Sequence, residues 1–526
     1  MKLKGLGDKS YNILFHTHTV AGILISFALF VIFFAGAFSL FRYEIIQWEN
    51  PEARQAINSD YNYEKALAKL DSIYTIDWHD NAALIVPNEK NPLFTLYANQ
   101  KTEDHSFHRI SAYITPDTYR VQDLSHPHTT VGDTIYYLHY FEQIPIVGLY
   151  LSGLVSLFFF FAIVNGLLIH WRNLLTKFFA FFTEGKRKNI WTNAHTVLGV
   201  LGLPFQVMYA ITGAFFGLLT LILIPTVFLL YNGDVSKVYN KVSPEDSIVV
   251  DENAPESRNL SISELARQVQ EAYPHHQIRY ADMKNYGKED AVITFHFDDF
   301  GGLMSTGKMT MYMRDGRLLP EYSVLPNAKS YSESIIPVMV KLHFADFGGM
   351  TMKVIYFVLS LITSFMIISG VMIWRSARDN KRYTYKQRLF HHRVTMAYLA
   401  ICLSMFPAFA VIFLANKLVP IEMVDRVGLV NAIFFLSWLV LIIVGLFWKS
   451  YSKLNRNYLL IGGAISLMVP VANGMVTGDW MWTTWRTLPF VAYVDLFWLI
   501  VGVCTLYISL KVLKVKTASD KPILNP

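Results

Sequence analysis

His18-Thr-Val-Ala-Gly22 opens one long apolar run and His195-Thr-Val-Leu-Gly199 opens another, and from each histidine the next matched glycine, Gly36 or Gly213, lies 18 residues on. That spacing corresponds to about 27 Å of helix, most of the hydrocarbon thickness of a bilayer. A second set of landmarks keeps the same register. Leu138-His139-Tyr140 and Leu342-His343-Phe344 each precede an apolar run, Gly166 and Gly370 lie 27 residues beyond their histidines, and the runs close on Trp171-Arg172 and Trp374-Arg375. The chain reads as helix, polar segment, helix, written twice.

Outward from this repeat, apolar runs long enough to span a bilayer fall at roughly 19–41, 147–171, 196–230, 351–374, 394–416, 427–448, 458–476 and 487–510. The expected fold is therefore membrane α-helical with about eight transmembrane helices. The third run is long enough to tilt or to continue past the interface, and Gly462, Gly463, Pro470 and Asn473 interrupt the seventh. Composition agrees: with 53% hydrophobic and 16% charged residues in 526, the chain is neither disordered nor an ordinary soluble enzyme. The first run is read as a membrane helix rather than a cleaved signal, although Lys2 and Lys4 precede it and Ala35-Gly36-Ala37 looks like a cleavage site. Its apolar stretch exceeds a signal core, and the third run repeats its pattern in mid-chain.

Lysine and arginine set the expected orientation. Lys2, Lys4 and Lys9 precede the first run, Arg172, Lys177, Lys186, Arg187 and Lys188 follow the second, and Arg375 through Arg393 join the fourth to the fifth, so these segments are expected inside the cell. Both termini then face in. The net charge of +6 is made by bases clustered between apolar runs, which points to a lipid membrane as partner and to no nucleic acid. The expected segments are 1–41 (tail and first span), 42–138 (outer domain), 139–172 (second span), 173–194 (inner loop), 195–230 (third span), 231–342 (outer domain), 343–375 (fourth span), 376–393 (inner loop) and 394–526 (four spans and a tail). Each outer segment opens with a short amphipathic helix, Tyr63–Leu70 or Ile262–Val269, and continues in alternating strand-like stretches such as Pro92–Tyr97 and Ala291–Phe297. Two small α+β extracytoplasmic domains are expected.

This register places His18 and His195 at the inner ends of two helices and His139 and His343 at the outer ends of two others. A pseudo-twofold axis would bring each pair together, and two facing imidazoles are what a six-coordinate haem iron requires, while glycines on the same helices admit a flat macrocycle or a neighbouring helix. A single histidine at a membrane interface is more often an anchor or hydrogen-bonding group; four in two matched pairs make a pattern. His16, His170, His391 and His392 also lie at the inner end, and any of them can replace a partner there. The two cysteines, Cys402 and Cys504, sit in apolar runs, and there is no C-x-x-C-H, so any haem would be held non-covalently.

At these histidines, glycines and Trp-Arg endings the sequence resembles the PepSY-associated transmembrane family over about 10–375, and Tyr113–Arg120 is similar to the strand–turn–strand ending of PepSY domains. The resemblance implies a bacterial inner-membrane, multi-pass protein of ferric-siderophore reductase type, with two b-type haems and periplasmic PepSY domains. Phe15-His16-Thr17-His18 and Asn193-Ala-His195-Thr196 lack the Arg-Trp usual in the family after the histidine, and the last four spans lie beyond the matched region. They are expected to brace the bundle, with a quinol site or a partner surface as alternatives.

Other patterns carry less. Gly302-x-x-x-x-Gly307-Lys308 has Met309 where a phosphate loop needs a hydroxyl, and neither G-x-G-x-x-G nor H-E-x-x-H occurs. His275-His276 and His105-x-x-His108 read as solvated surface histidines. The expected function is a dihaem reductase that takes electrons from a separate donor, a quinol or a cytoplasmic reductase, and delivers them to a periplasmic ferric siderophore or other ferric chelate; no residue touching the chelate is identified. Two other classes stand beside it: a non-redox, membrane-anchored PepSY binding or regulatory protein, and a siderophore permease.

Overall fold

The structure is a computed structural model. It describes residues 7–51, 62–87, 93–101, 107–115, 118–123, 131–171, 187–298, 302–303, 305–326, 331–421, 423–448 and 450–515. The helices used below are α1 (Asp8–Ser39), α2 (Tyr63–Asp71), α3 (Val131–His139), α4 (Val147–His170), α5 (Arg187–Leu201), α6 (Leu203–Tyr231), α7 (Ile262–Ala272), α8 (Tyr331–Phe344), α9 (Gly349–Arg378), α10 (Tyr385–Leu418), α11 (Arg426–Leu446), α12 (Tyr451–Thr477) and α13 (Pro489–Val515). Among the described residues eight helices are long and apolar enough to cross a membrane: α1, α4, α6, α9, α10, α11, α12 and α13. These are the eight expected runs.

The chain divides into two compact units: a helical one of residues 1–45, 129–219 and 353–526, and a second of 46–128 and 220–352. In the helical unit, local chemistry explains the breaks. The third run splits at Gly202, because Pro204 has no N–H to return to the preceding turn. Thr384 and Gln387 close a capping box at the start of α10, and Gly478, at φ +75°, ends α12. Close helix crossings use glycine: a Cβ on Gly153 of α4 would fall 2.7 Å from the backbone of Gly217 on α6. Of the last four spans, α10 and α13 pack on the repeat through aromatic rings, Phe38 of α1 meeting Phe409 of α10, and Phe497 and Trp498 of α13, beside Phe357 of α9, at 5.0–6.2 Å.

The second unit holds a seven-stranded antiparallel sheet. Its strands are β1 (Ala82–Ile85), β2 (Phe94–Lys101), β3 (Phe107–Ile114), β4 (Val121–Asp123), β5 (Gln277–Lys284), β6 (Val292–Asp298) and β7 (Gly307–Tyr312), in the order β4-β3-β2-β1-β5-β6-β7. Each polar segment supplies a helix and its strands, as expected. The two sets then join: β1 pairs with β2 on one side and β5 on the other, Leu84 lying opposite both Leu96 and Ala281. They share one apolar core, in which Leu67, Leu70, Leu84 and Phe94 meet Leu265, Val269, Ile293 and Phe295. Apart from β4, which has no counterpart strand beyond β7 among the described residues, the order is symmetric about the β1–β5 seam, so the sequence repeat becomes a pseudo-twofold within one sheet. Across that seam Glu64 of α2 accepts hydrogen bonds from the Ser263 N–H (3.2 Å) and Oγ–H (2.9 Å) of α7.

Candidate functional site

The helical unit brings His18 and His195 together. Their ring centroids are 6.1 Å apart, at an interplanar angle of 75°. Two imidazoles sharing one metal ion at about 2.0–2.1 Å from each ligating nitrogen put their ring centres roughly 6 Å apart. The spacing therefore suits two imidazoles that would share one metal ion.

Each ring is seated the same way. His18 Nδ1 lies 2.9 Å from the Ala162 carbonyl and packs on Gly166, where a Cβ would fall 3.3 Å from the ring; His195 Nδ1 lies 3.0 Å from the Met366 carbonyl and packs on Gly370, where a Cβ would fall 3.1 Å away. In both cases the acceptor is the carbonyl four residues before the glycine. A helix carbonyl has a second lone pair beyond its i+4 bond, and the missing Cβ lets the imidazole reach it. Because a carbonyl only accepts, Nδ1 carries the proton and Nε2 the lone pair, the arrangement usual for metal-ligating histidine. Ser369 Oγ, 3.2 Å from His195 Nδ1, adds to the second seat.

His139 repeats the motif a third time. Its Nδ1 is 2.8 Å from the carbonyl of Ile32, four residues before Gly36, and a Cβ on Gly36 would fall 2.7 Å from the ring. Thus α1 presents His18 to α4 near one end and receives His139 from α3 near the other. The helix carrying His139 is pinned in the helical unit: Arg42 Nε donates to Asp133 at 2.7 Å, its guanidinium lies 4.5 Å over Tyr136, and Thr134 donates to Asn431 at 2.5 Å. His343 stands in the last turn of α8, in the second unit, while Gly213, its counterpart of Gly36, packs on Ser156 of α4. Both helices end alike, on a left-handed residue two positions past the histidine: Phe141 at φ +61° and Ala345 at φ +57°.

A model of the PepSY-associated TM region matches residues 15–377. The chain belongs to this family. That stretch contains His16, His18, His139, His170, His195 and His343, and leaves α10 to α13 outside it. No curated protein matches this family member.

The remaining candidates are placed as follows. His16 is exposed beside Phe15. His170, the last residue of α4, is half-buried. His391 sits edge-on to Trp374 (5.1 Å) and Tyr383 (5.8 Å), and His392 Nδ1 is 2.7 Å from the Tyr451 hydroxyl. In the second unit His276 packs on Tyr273 and Phe297, whereas His105 and the side chain of His108 lie outside the described residues. Gly307-Lys308 belongs to β7, with Lys308 paired to Glu245, so this segment is a strand and not a phosphate loop. Among the described residues no group of three or more His, Cys, Asp or Glu side chains is arranged for a metal ion.

Sequence reading missed two polar clusters in the second unit. His296 Nε2 lies 2.8 Å from Asp282 Oδ2 and its ring stacks on Tyr280 at 3.9 Å; burial pushes the Tyr280 phenol well up. Lys341, 2% exposed, meets Asp298, 1% exposed, at 2.6 Å. Alternating polar residues on β5 and β6 signal the first. Nothing local signals the second.

Proposed function

We propose that the chain is a haem oxidoreductase of the bacterial inner membrane that passes single electrons to a ferric siderophore or similar ferric chelate on the periplasmic side. The observation that carries this reading is the twinned seating of His18 and His195, with the same ring nitrogen on the same carbonyl register and 6.1 Å between rings. Two b-type haems, one per histidine pair, would supply reversible one-electron chemistry at iron. His18 and His195 would hold the cytoplasmic-side group, and His139 and His343 the periplasmic-side one. The Ala162, Met366 and Ile32 carbonyls fix the tautomer and orientation of the rings and raise the basicity of Nε2. Phe33, Phe159, Phe205, Tyr209 and Tyr356, packed ring to ring at 4.6–6.0 Å, keep water out of the bundle, and the apolar shell around a metal tunes its potential. Oxygen donors of a siderophore hold Fe(III) far better than Fe(II), so reduction loosens the iron. The donor is a separate molecule, a quinol or a cytoplasmic reductase, since the sequence carries no dinucleotide fingerprint.

The lysine and arginine bias supports an orientation with both termini in the cytoplasm and the sheet unit in the periplasm. A cysteine at Val249, 93% exposed, is then expected to react with an impermeant maleimide in spheroplasts; protection until lysis would reverse the orientation. For the chemistry, protein purified after haem supplementation should show a Soret band that shifts with dithionite and returns on adding a ferric chelate. A colourless preparation would overturn the reading and leave a non-redox PepSY binding or regulatory protein, or a chelate permease.

A further inference from the structure

Lys341 lies two residues before His343 on α8. Its Nζ donates to Asp298 Oδ1 (2.6 Å), to Ser305 Oγ (2.9 Å) and to the Gly302 carbonyl, a cradle around a buried ammonium. Asp298, the last residue of β6, also accepts from Arg279 of β5 (2.5 Å) and from Ser305 Oγ (3.0 Å). The C-terminal turn of α8 is thereby fastened to the end of two adjacent strands.

Two features make this fastening more than a generic ion pair. Successive helical residues turn by about 100°, so residues two apart face nearly opposite sides of the helix, and holding Lys341 against the strands fixes the roll at which His343 projects. Pro337 also lies inside α8 and cannot donate to the carbonyl of Glu333, so the backbone ladder is one bond short in the turn before it and ties the roll of the C-terminal half to the rest of the helix less than usual. A buried pair is a weak source of net stability, but losing one partner strands a buried charge, so its use here is geometric.

We propose that Lys341, acting through Asp298 and Ser305, is a positioning residue that sets the orientation of His343 from the sheet. The proposal rests on His343 being a haem ligand. It deepens that reading by making the sheet the part that aims His343.

The test compares His343→Ala, Lys341→Met, Lys341→Arg and Ser305→Ala in the full-length, haem-loaded protein, by electron paramagnetic resonance and by redox titration of each low-spin component. His343→Ala first identifies the component that His343 ligates; if no component changes, the ligand reading itself has failed. With that component identified, Lys341→Met should shift its g-values and potential, leave the His18/His195 component unmoved, and be largely rescued by Lys341→Arg. Ser305→Ala, which removes one acceptor without stranding a charge, should give a smaller shift of the same component and serves as the deciding variant where Lys341→Met fails to fold. Unmoved spectra and potentials in folded Lys341→Met, or in Ser305→Ala when it is the deciding variant, overturn the proposal.

Discussion

The two copies of the repeat use the same parts at the histidine ends and different parts to hold them. In copy one, His18 seats on Gly166 and His139 on Gly36, so α1 and the α3–α4 pair each give a histidine and take one. In copy two, His195 seats on Gly370 in the same way, while Gly213 packs on Ser156 and His343 is fastened through its own helix to the sheet. Two backbone devices are shared, a glycine four residues past the carbonyl that seats His18 or His195 and a left-handed residue two past His139 or His343. Side-chain anchors are not: copy one uses Arg42–Asp133 and Thr134–Asn431, copy two Lys341–Asp298. A duplicated chain can keep symmetry where the backbone needs it and diverge where only attachment is at stake.

The largest effect tests the shared part. On the proposed two-haem reading, His18→Ala and His195→Ala should each remove the same low-spin component, about half of the low-spin signal, and leave the other component intact, because either change would take one imidazole from one iron. Equal loss in both variants, read by reduced-minus-oxidised spectra, is the signature of a symmetric pair. If only one variant responds, the partner is another inner histidine, and His170 is the first to test.

Next comes the seam that makes the two halves of the sheet one body. Leu84 is fully buried where β1 meets β5, and Leu84→Ala should cost about 2–5 kcal/mol. The loss should reach both halves together, with amides of β2 and β6 giving up hydrogen-exchange protection by equal amounts. Protection lost in β2 alone would mean that the halves are separate domains.

How much of this was legible follows from chemical range. The spans were readable because apolar length is a local property, and the register was readable because histidine and glycine are rare enough in apolar runs to mark it. The break at Gly202 was visible as Leu-Gly-Leu-Pro but was read only as a long run. The β1–β5 seam was not legible: β1 has four residues, and its partner follows two membrane spans later, so no periodicity links them. Lys341 and Asp298 had the same obscurity, since a lysine in a last helical turn looks like an ordinary favourable end charge. For the candidate site, histidine identity was readable, whereas the carbonyl that fixes each tautomer has no side-chain signature.

A gentler change compares the seats themselves. Alanine at Gly36 would put a methyl 2.7 Å from the His139 ring, against 3.3 Å at Gly166 and 3.1 Å at Gly370. Gly36→Ala should therefore displace His139 from the Ile32 carbonyl at about 1–3 kcal/mol, as overpacking does, and, on the proposed reading, broaden or shift the low-spin signal assigned to His139. Gly166→Ala and Gly370→Ala should perturb the inner signal less, and by similar amounts. An order with Gly166→Ala as the most disruptive variant would show that closeness to the ring does not rank the three seats.

The smallest effect separates the copies by acidity. Helix α2 ends in Asp71, whereas its counterpart α7 ends in Ala272. Burial raises the Asp71 carboxyl above its ordinary value, and the hydrogen bond from Trp78 Nε1 at 2.9 Å offsets this only in part. A carboxyl whose folded value exceeds its unfolded one binds protons more tightly when folded, so its contribution to stability is present below the unfolded value, near pH 3.9, and is lost as pH rises through the folded value. At neutral pH the ionised group is a liability to copy one that copy two lacks. Asp71→Asn keeps an oxygen to accept from Trp78 and removes the charge. Thermal melting followed by Trp78 fluorescence should show a small gain in Tm for Asp71→Asn at pH 7 that fades on acidification towards pH 4. Because the carboxyl is only partly buried, screening keeps this gain below those above. A gain that persists unchanged at pH 4 would assign it to packing around Trp78 rather than to the proton.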